Sequence, residues 1–145
     1  MTVGEPGGVH HVAIAVRDLP ALGVFYTAVL GLPVVRRWPM AGDGKGDRSV
    51  WCDLGGGAFL ALERAADAEV ARQSPAAERA HGYLMIALRI TRAARSDWEA
   101  RLTAAGVAIV HRTPYTLYVA DPEGNRVGLS HWPDAATEPG SEARG

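Results

Sequence analysis

HHVAIAVRDLPALGVFYTAVLGLPVV, residues 10–35, is the stretch on which the fold turns. Val12, Ile14 and Val16 alternate with His11, Ala13 and Ala15, which is the period of a strand with two different faces. Asp18 reads as a helix N-cap, because its carboxylate can accept from the free amides of the first turn. Pro20 fits that turn because it has no amide to lose. Leu22, Phe25, Tyr26, Val29 and Leu30 then recur at helical spacing. Gly31 stops the helix as a residue free to take positive φ. Residues 32–38 read as a second strand.

Outward from this stretch, residues 40–47 (MAGDGKGD) form a glycine-rich loop. It lacks the spacing and the Lys-Ser/Thr of a phosphate-binding loop. Residues 48–54 and 58–63 read as strands joined by Gly55, Gly56 and Gly57. Residues 64–80 are polar, alanine-rich and broken by Pro75, the composition of a linker. The pattern then restarts. Residues 83–90 read as a strand, and Ser96 as the N-cap of a helix bearing Trp98, Leu102 and Ala105. Glu99 completes a capping box, and Gly106 ends the helix. Residues 107–111, 116–120 and 126–131 follow as strands. Each half is therefore strand, helix, strand, strand, strand. The expected organisation is a tail at 1–8, one module at 9–64, a linker at 65–81, a second module at 82–132 and a disordered tail at 133–145.

At 145 residues the chain suits one domain with a sizeable core. It is 21% charged with a formal charge of -1, which gives no electrostatic case for nucleic acid or an anionic membrane. One cysteine, Cys52, excludes an internal disulfide and a cysteine-rich metal site. No apolar run approaches the roughly 20 residues that span a bilayer. The first residues lack the basic start and apolar core of a signal peptide, so a cytoplasmic protein is expected.

Residues 11–35, with Asp18-Leu19 at the turn and Phe25-Tyr26 in the helix, closely resemble the first strand and helix of the vicinal oxygen chelate superfamily. That superfamily includes glyoxalase I, extradiol dioxygenases, fosfomycin-resistance transferases and bleomycin-binding proteins. DPEGNRVGL, residues 121–129, resembles its final hairpin. The resemblance covers residues 9–132. It implies an α+β fold of two paired βαβββ modules, whose mixed sheets form a curved cup with helices outside (the glyoxalase/bleomycin-resistance fold). It also implies a homodimer.

In that family a divalent metal is commonly held by His and Glu side chains from up to four strands. Carried over one by one, those places fall on His11, Ala61, Met85 and Gly128. Alanine and glycine have no donor atom, and a thioether is a poor ligand for a hard or borderline ion. A single imidazole does not hold Mg, Mn, Fe or Zn against water. No metal or other cofactor is therefore expected.

Strand alternation from the matched places gives the residues that face the family's cavity. Trp51, Phe59, Tyr83 and Tyr118 can stack on a planar small molecule. His11, Glu63, Arg89 and Arg126 can orient its polar ends, and Met85, Thr116 and Ser130 complete the lining. Plainer readings stand beside these: Trp51 also suits a core or a dimer interface, Glu63 a solvated strand end, and His11 a packed relic. Three functions remain open. One is binding or sequestration, similar to the bleomycin-binding branch. The second is a metal-independent isomerase, lyase or cyclase with His11 as acid–base and Glu63 or Tyr118 as its partner. The third is a divalent-metal-dependent lyase or dioxygenase with reassigned ligands such as His11 and Glu63.

Overall fold

The computed structural model describes residues 8–42, 44–65 and 85–133. The chain divides into two compact units, residues 1–72 and 73–145. Both units repeat the expected βαβββ order, and the class is α+β.

Unit 1 runs β1 (His11–Val16), α1 (Leu19–Val24), a π-helical turn (Phe25–Val29), β2 (Val34–Pro39), β3 (Asp47–Gly55) and β4 (Ala58–Arg64). The four strands lie in the order β1-β4-β3-β2. β1 runs parallel to β4, and the other pairs are antiparallel. α1 begins as the sequence implies: Asp18 Oδ1 accepts from the Ala21 amide at 3.1 Å, and Pro20 sits in the first turn. Its second half departs from a plain α-helix. The Leu30 amide reaches back five residues to the Phe25 carbonyl, and this widened turn accompanies burial of two adjacent aromatic rings. Phe25 and Tyr26 meet edge to face at 5.0 Å. Leu22, Phe25 and Tyr26 share the buried core with Val50, Cys52, Leu60 and Leu62. Each such side chain contributes about 1.5–3 kcal/mol on full burial. Val12, on the edge strand, stays 37% exposed although its face is the apolar one.

Unit 2 runs β5 (Met85–Arg89), α2 (Arg95–Ala104), β6 (Ile109–Arg112), β7 (Thr116–Ala120) and β8 (Arg126–Ser130). Its order, β5-β8-β7-β6, repeats that of unit 1 strand for strand. Leu102, Leu117, Val119, Val127 and Leu129 form the buried side. The second helix corrects the sequence reading. Ser96 is not its cap: the helix starts at Arg95, after Ala94, with no side-chain cap. Thr91 Oγ1 instead accepts from the Ala94 amide one turn earlier. Glu99 forms no capping box but lies 3.7 Å from both Arg95 and Arg112. Ala105 is an exposed C-cap, not a packed position. The following strand begins at Ile109, two residues later than expected.

Arg95 ties this helix to the sheet. Its guanidinium donates to the Thr113 and Pro114 carbonyls at 2.8 and 3.2 Å and to His131 Nε2 at 3.1 Å. Among the described residues, no helix is long and apolar enough to cross a membrane.

Candidate functional site

Register fixes what each open sheet face presents. In unit 1, His11 pairs with Phe59, Ala13 with Ala61 and Ala15 with Glu63. Across the next ladder Phe59 pairs with Asp53, Ala61 with Trp51 and Glu63 with Ser49. The last ladder pairs Trp51 with Arg36 and Ser49 with Trp38. A β-bulge at Val35 makes this possible, because it reverses the facing of β2 between Val34 and Arg36. Since side chains alternate along a strand, His11, Trp51, Phe59, Glu63, Arg36 and Trp38 share one face.

Trp51 is the centre of that face. Its ring lies 4.8 Å from His11, 5.2 Å from Trp38 and 6.1 Å from Phe59, centroid to centroid. Arg36 stacks over Trp38 at 4.4 Å. The Trp51 indole N–H donates to Glu63 Oε1 at 3.2 Å, and the buried Ser49 hydroxyl donates to the same oxygen at 2.9 Å. Glu63 is therefore not a merely solvated strand end. Ala61 is fully covered, whereas Ala13 and Ala15 leave the strip along β1 open. His11 is exposed, and its Nδ1 lies 2.9 Å from Nδ1 of His10. Ser49, Arg36 and Trp38 were absent from the sequence reading of the site. Ser49 follows from Trp51 by alternation, but the bulge hides the other two.

In unit 2 the same face presents Met85, Ala87 and Arg89 from β5, then Arg126, Gly128 and Ser130 from β8. β7 adds Thr116 and Tyr118, and β6 adds His111 after a bulge at the position matching Val35. Arg126 lies 5.8 Å above the Tyr118 ring, and His111 stands 5.6 Å from the same ring. The Thr116 hydroxyl donates to Ser130 Oγ at 2.9 Å, in the place where Ser49 bonds Glu63 in unit 1. Met85 and Arg89 are exposed. Tyr83, read from the sequence as an aromatic wall, lies outside the described residues. His11 and Glu63 thus belong to unit 1 and Tyr118 to unit 2.

The donor set does not fit the family's usual divalent ion. Ala61 and Gly128 offer no donor, and a side chain is not easily restored at Gly128. A Cβ there meets Thr116 Cγ2 at 3.3 Å, Ala87 Cβ at 3.5 Å and the Met85 sulfur at 3.6 Å. Among the described residues no three His, Cys, Asp or Glu gather in one place. Cys52, the single cysteine of the sequence, is buried on the apolar side of the sheet. Burial pushes its thiol up, and the charge of Arg37 acts the other way without offsetting it.

Solved structures share this architecture. A glyoxalase/dioxygenase from Nostoc punctiforme is 21% identical, with a TM-score of 0.68 over 89% of this chain and 95% of that one. A variant of the fosfomycin resistance protein FosX from Listeria monocytogenes, complexed with Mn(II) and 1S,2S-dihydroxypropylphosphonic acid, is 16% identical. Its TM-score is 0.65 over 87% of this chain and 93% of its own. TnmS3, an antibiotic binding protein from Streptomyces sp. CB03234, is 21% identical, with a TM-score of 0.58 over 90% and 98%. At these identities the likeness is one of fold. No curated protein matches the chain. The Glyoxalase/Bleomycin resistance protein/Dioxygenase superfamily model matches residues 8–129, the span that carries both repeated sheets, and the chain belongs to that family.

Proposed function

We propose that the protein binds a small planar organic molecule without a metal ion, holding it for sequestration and not turning it over. The observation that carries this reading is the cluster around Trp51. Four rings, His11, Trp38, Trp51 and Phe59, gather on an open face instead of in the core. Aromatic faces of this kind give contact area at little conformational cost and accept ligands by stacking. The lack of a donor at Ala61 and Gly128 and the poor one at Met85 support the metal-free part, and TnmS3, of the same fold, is an antibiotic binding protein. A panel of aromatic antibiotics and metabolites, screened by thermal shift, is the test. Stabilisation by planar members that is lost in Trp51→Ala supports the reading. A flat response across the panel sinks it. Metal analysis of untagged protein bears on the metal-free part, where stoichiometric Fe, Mn, Ni or Zn overturns it. By the family resemblance we also infer a homodimer, which light scattering on the purified protein measures.

One observation favours a second reading, a metal-independent isomerase, lyase or cyclase. His11 lies against Trp51 and is open to solvent, where an imidazole can take up or release a proton. Its acid partner is Glu63, which lies on the same face. A His11→Ala variant that turns over an identified substrate at full rate eliminates this reading.

A further inference from the structure

We infer that the aromatic face of unit 1 selects ligands that carry a protonated amine beside the ring, with Glu63 as the acceptor and Ser49 as its positioning residue. The inference rests on the reading of that face as a binding surface and adds the charge of what it takes. Two donors converge on a single oxygen of Glu63: the Ser49 hydroxyl at 2.9 Å and the Trp51 indole N–H at 3.2 Å. Both are neutral and both bond Oε1, and among the described residues no hydrogen bond engages Oε2. Among the described residues, Glu63 has no cationic partner within ion-pair distance. Arg36, the arginine of this face, is stacked on Trp38. Ala15, beside Glu63 in the register, is too small to cover it and is itself exposed.

The repeat supplies an internal comparison. Ser130 occupies in unit 2 the place of Glu63, bonded by Thr116 as Glu63 is by Ser49. Arg89 stands there beside Ser130 where unit 1 has Ala15 beside Glu63. The same scaffold position is thus neutral and flanked by a cation in one unit, and acidic with an open flank in the other. A hydroxyl donor held on one oxygen is a way to aim a carboxylate. It costs a buried polar side chain, and Ser49 is only 1% exposed. A plain solvated glutamate needs no such support. A ring stacked on Trp51 therefore meets a fixed acceptor at the ring's N–H edge, and an ammonium group makes a charge-assisted bond there.

The experiment uses two probes with one aromatic body, 2-naphthylmethylammonium and 2-naphthylacetate. The full chain is ¹⁵N-labelled, and the indole N–H signals of its tryptophans are followed through each titration. Trp51→Phe identifies the Trp51 signal. The ammonium probe should move that signal and bind about tenfold more tightly than the carboxylate, the size of one charge-assisted bond. In Glu63→Gln, shown to be folded by its melting curve, the ratio should fall toward one. Ser49→Ala should lower the ratio by a smaller factor, and Ser49→Thr should restore it, because Thr116 does the same work in unit 2. A carboxylate probe that binds as tightly as the ammonium, or a preference that survives in folded Glu63→Gln, overturns the charge selection and leaves the aromatic surface standing. If neither probe moves an indole signal, the aromatic surface itself is overturned.

Discussion

At the scale of the residue, two positions show how a small side chain or its absence decides chemistry. Gly128 stands where relatives commonly place a metal-binding glutamate. Replacing glycine normally stabilises by about 0.4–1 kcal/mol through the unfolded chain. Here the new methyl meets Thr116 Cγ2 at 3.3 Å, and Thr116 cannot rotate away without giving up its bond to Ser130. Overpacking costs about 1–3 kcal/mol and wins. Gly128→Ala should therefore be less stable by about 1 kcal/mol in urea unfolding. Cys52 makes the second case. Burial raises its pKa above the unfolded value of about 8.5. The folded state thus holds the proton longer, so this contribution is full below about pH 8.5 and is lost as pH rises through the folded value. Native protein should react with a disulfide reagent only at its opening rate, and unfolded protein at once; a fast native reaction contradicts the burial. His11, Trp51, Phe59 and Glu63 were readable by alternation once the resemblance had matched His11 and Ala61 to the family's cavity face. That Glu63 is clamped was not, because its partner Ser49 is set by cross-strand register and lies 14 positions away.

Among the elements, the strand–helix stretch at the start was the most legible, since Asp18, Pro20 and Gly31 each have one simple local role. The π-helical turn was not, because Phe25 and Tyr26 fit an α-helical face equally well until both must be buried. The second helix misled for a different reason. Ser96 and Glu99 satisfy the capping pattern, but the long-range grip of Arg95 on Thr113, Pro114 and His131 holds the helix two residues earlier. Tertiary bonds of that number outweigh one local cap, which is worth about 1 kcal/mol. Arg95→Ala should accordingly cost about 2–3 kcal/mol, measured by chemical unfolding. Arg95→Lys should recover little of it, since an ammonium lacks the fork that reaches two carbonyls at once. The bulges at Val35 and Val110 were hidden too, as each inserts one residue without any glycine or proline to mark it.

Across the whole molecule, the repeat was legible because both halves run strand, helix, glycine stop and three strands, with Gly31 and Gly106 in matching places. Its chemistry was less so, since equivalent places hold different residues: Glu63 against Ser130, Phe59 against Arg126, Ala15 against Arg89. β4 and β8 are inner strands, each with a parallel neighbour on one side and an antiparallel one on the other. Hydrogen exchange should therefore be slowest at Leu60 to Leu62 and Val127 to Leu129, and fastest in the edge strands β2 and β6. Slower exchange in β2 than in β4 contradicts the strand order. The parallel pair also governs how the chain is made. β1 emerges from the ribosome before β4, yet within its sheet it bonds only to β4, and His11 waits for Phe59, 48 positions later. No local hairpin can give the first strand a partner in the meantime. The first unit must close in one late event, at a rate set by a search across that long loop, and its most recognisable segment is the last to be secured.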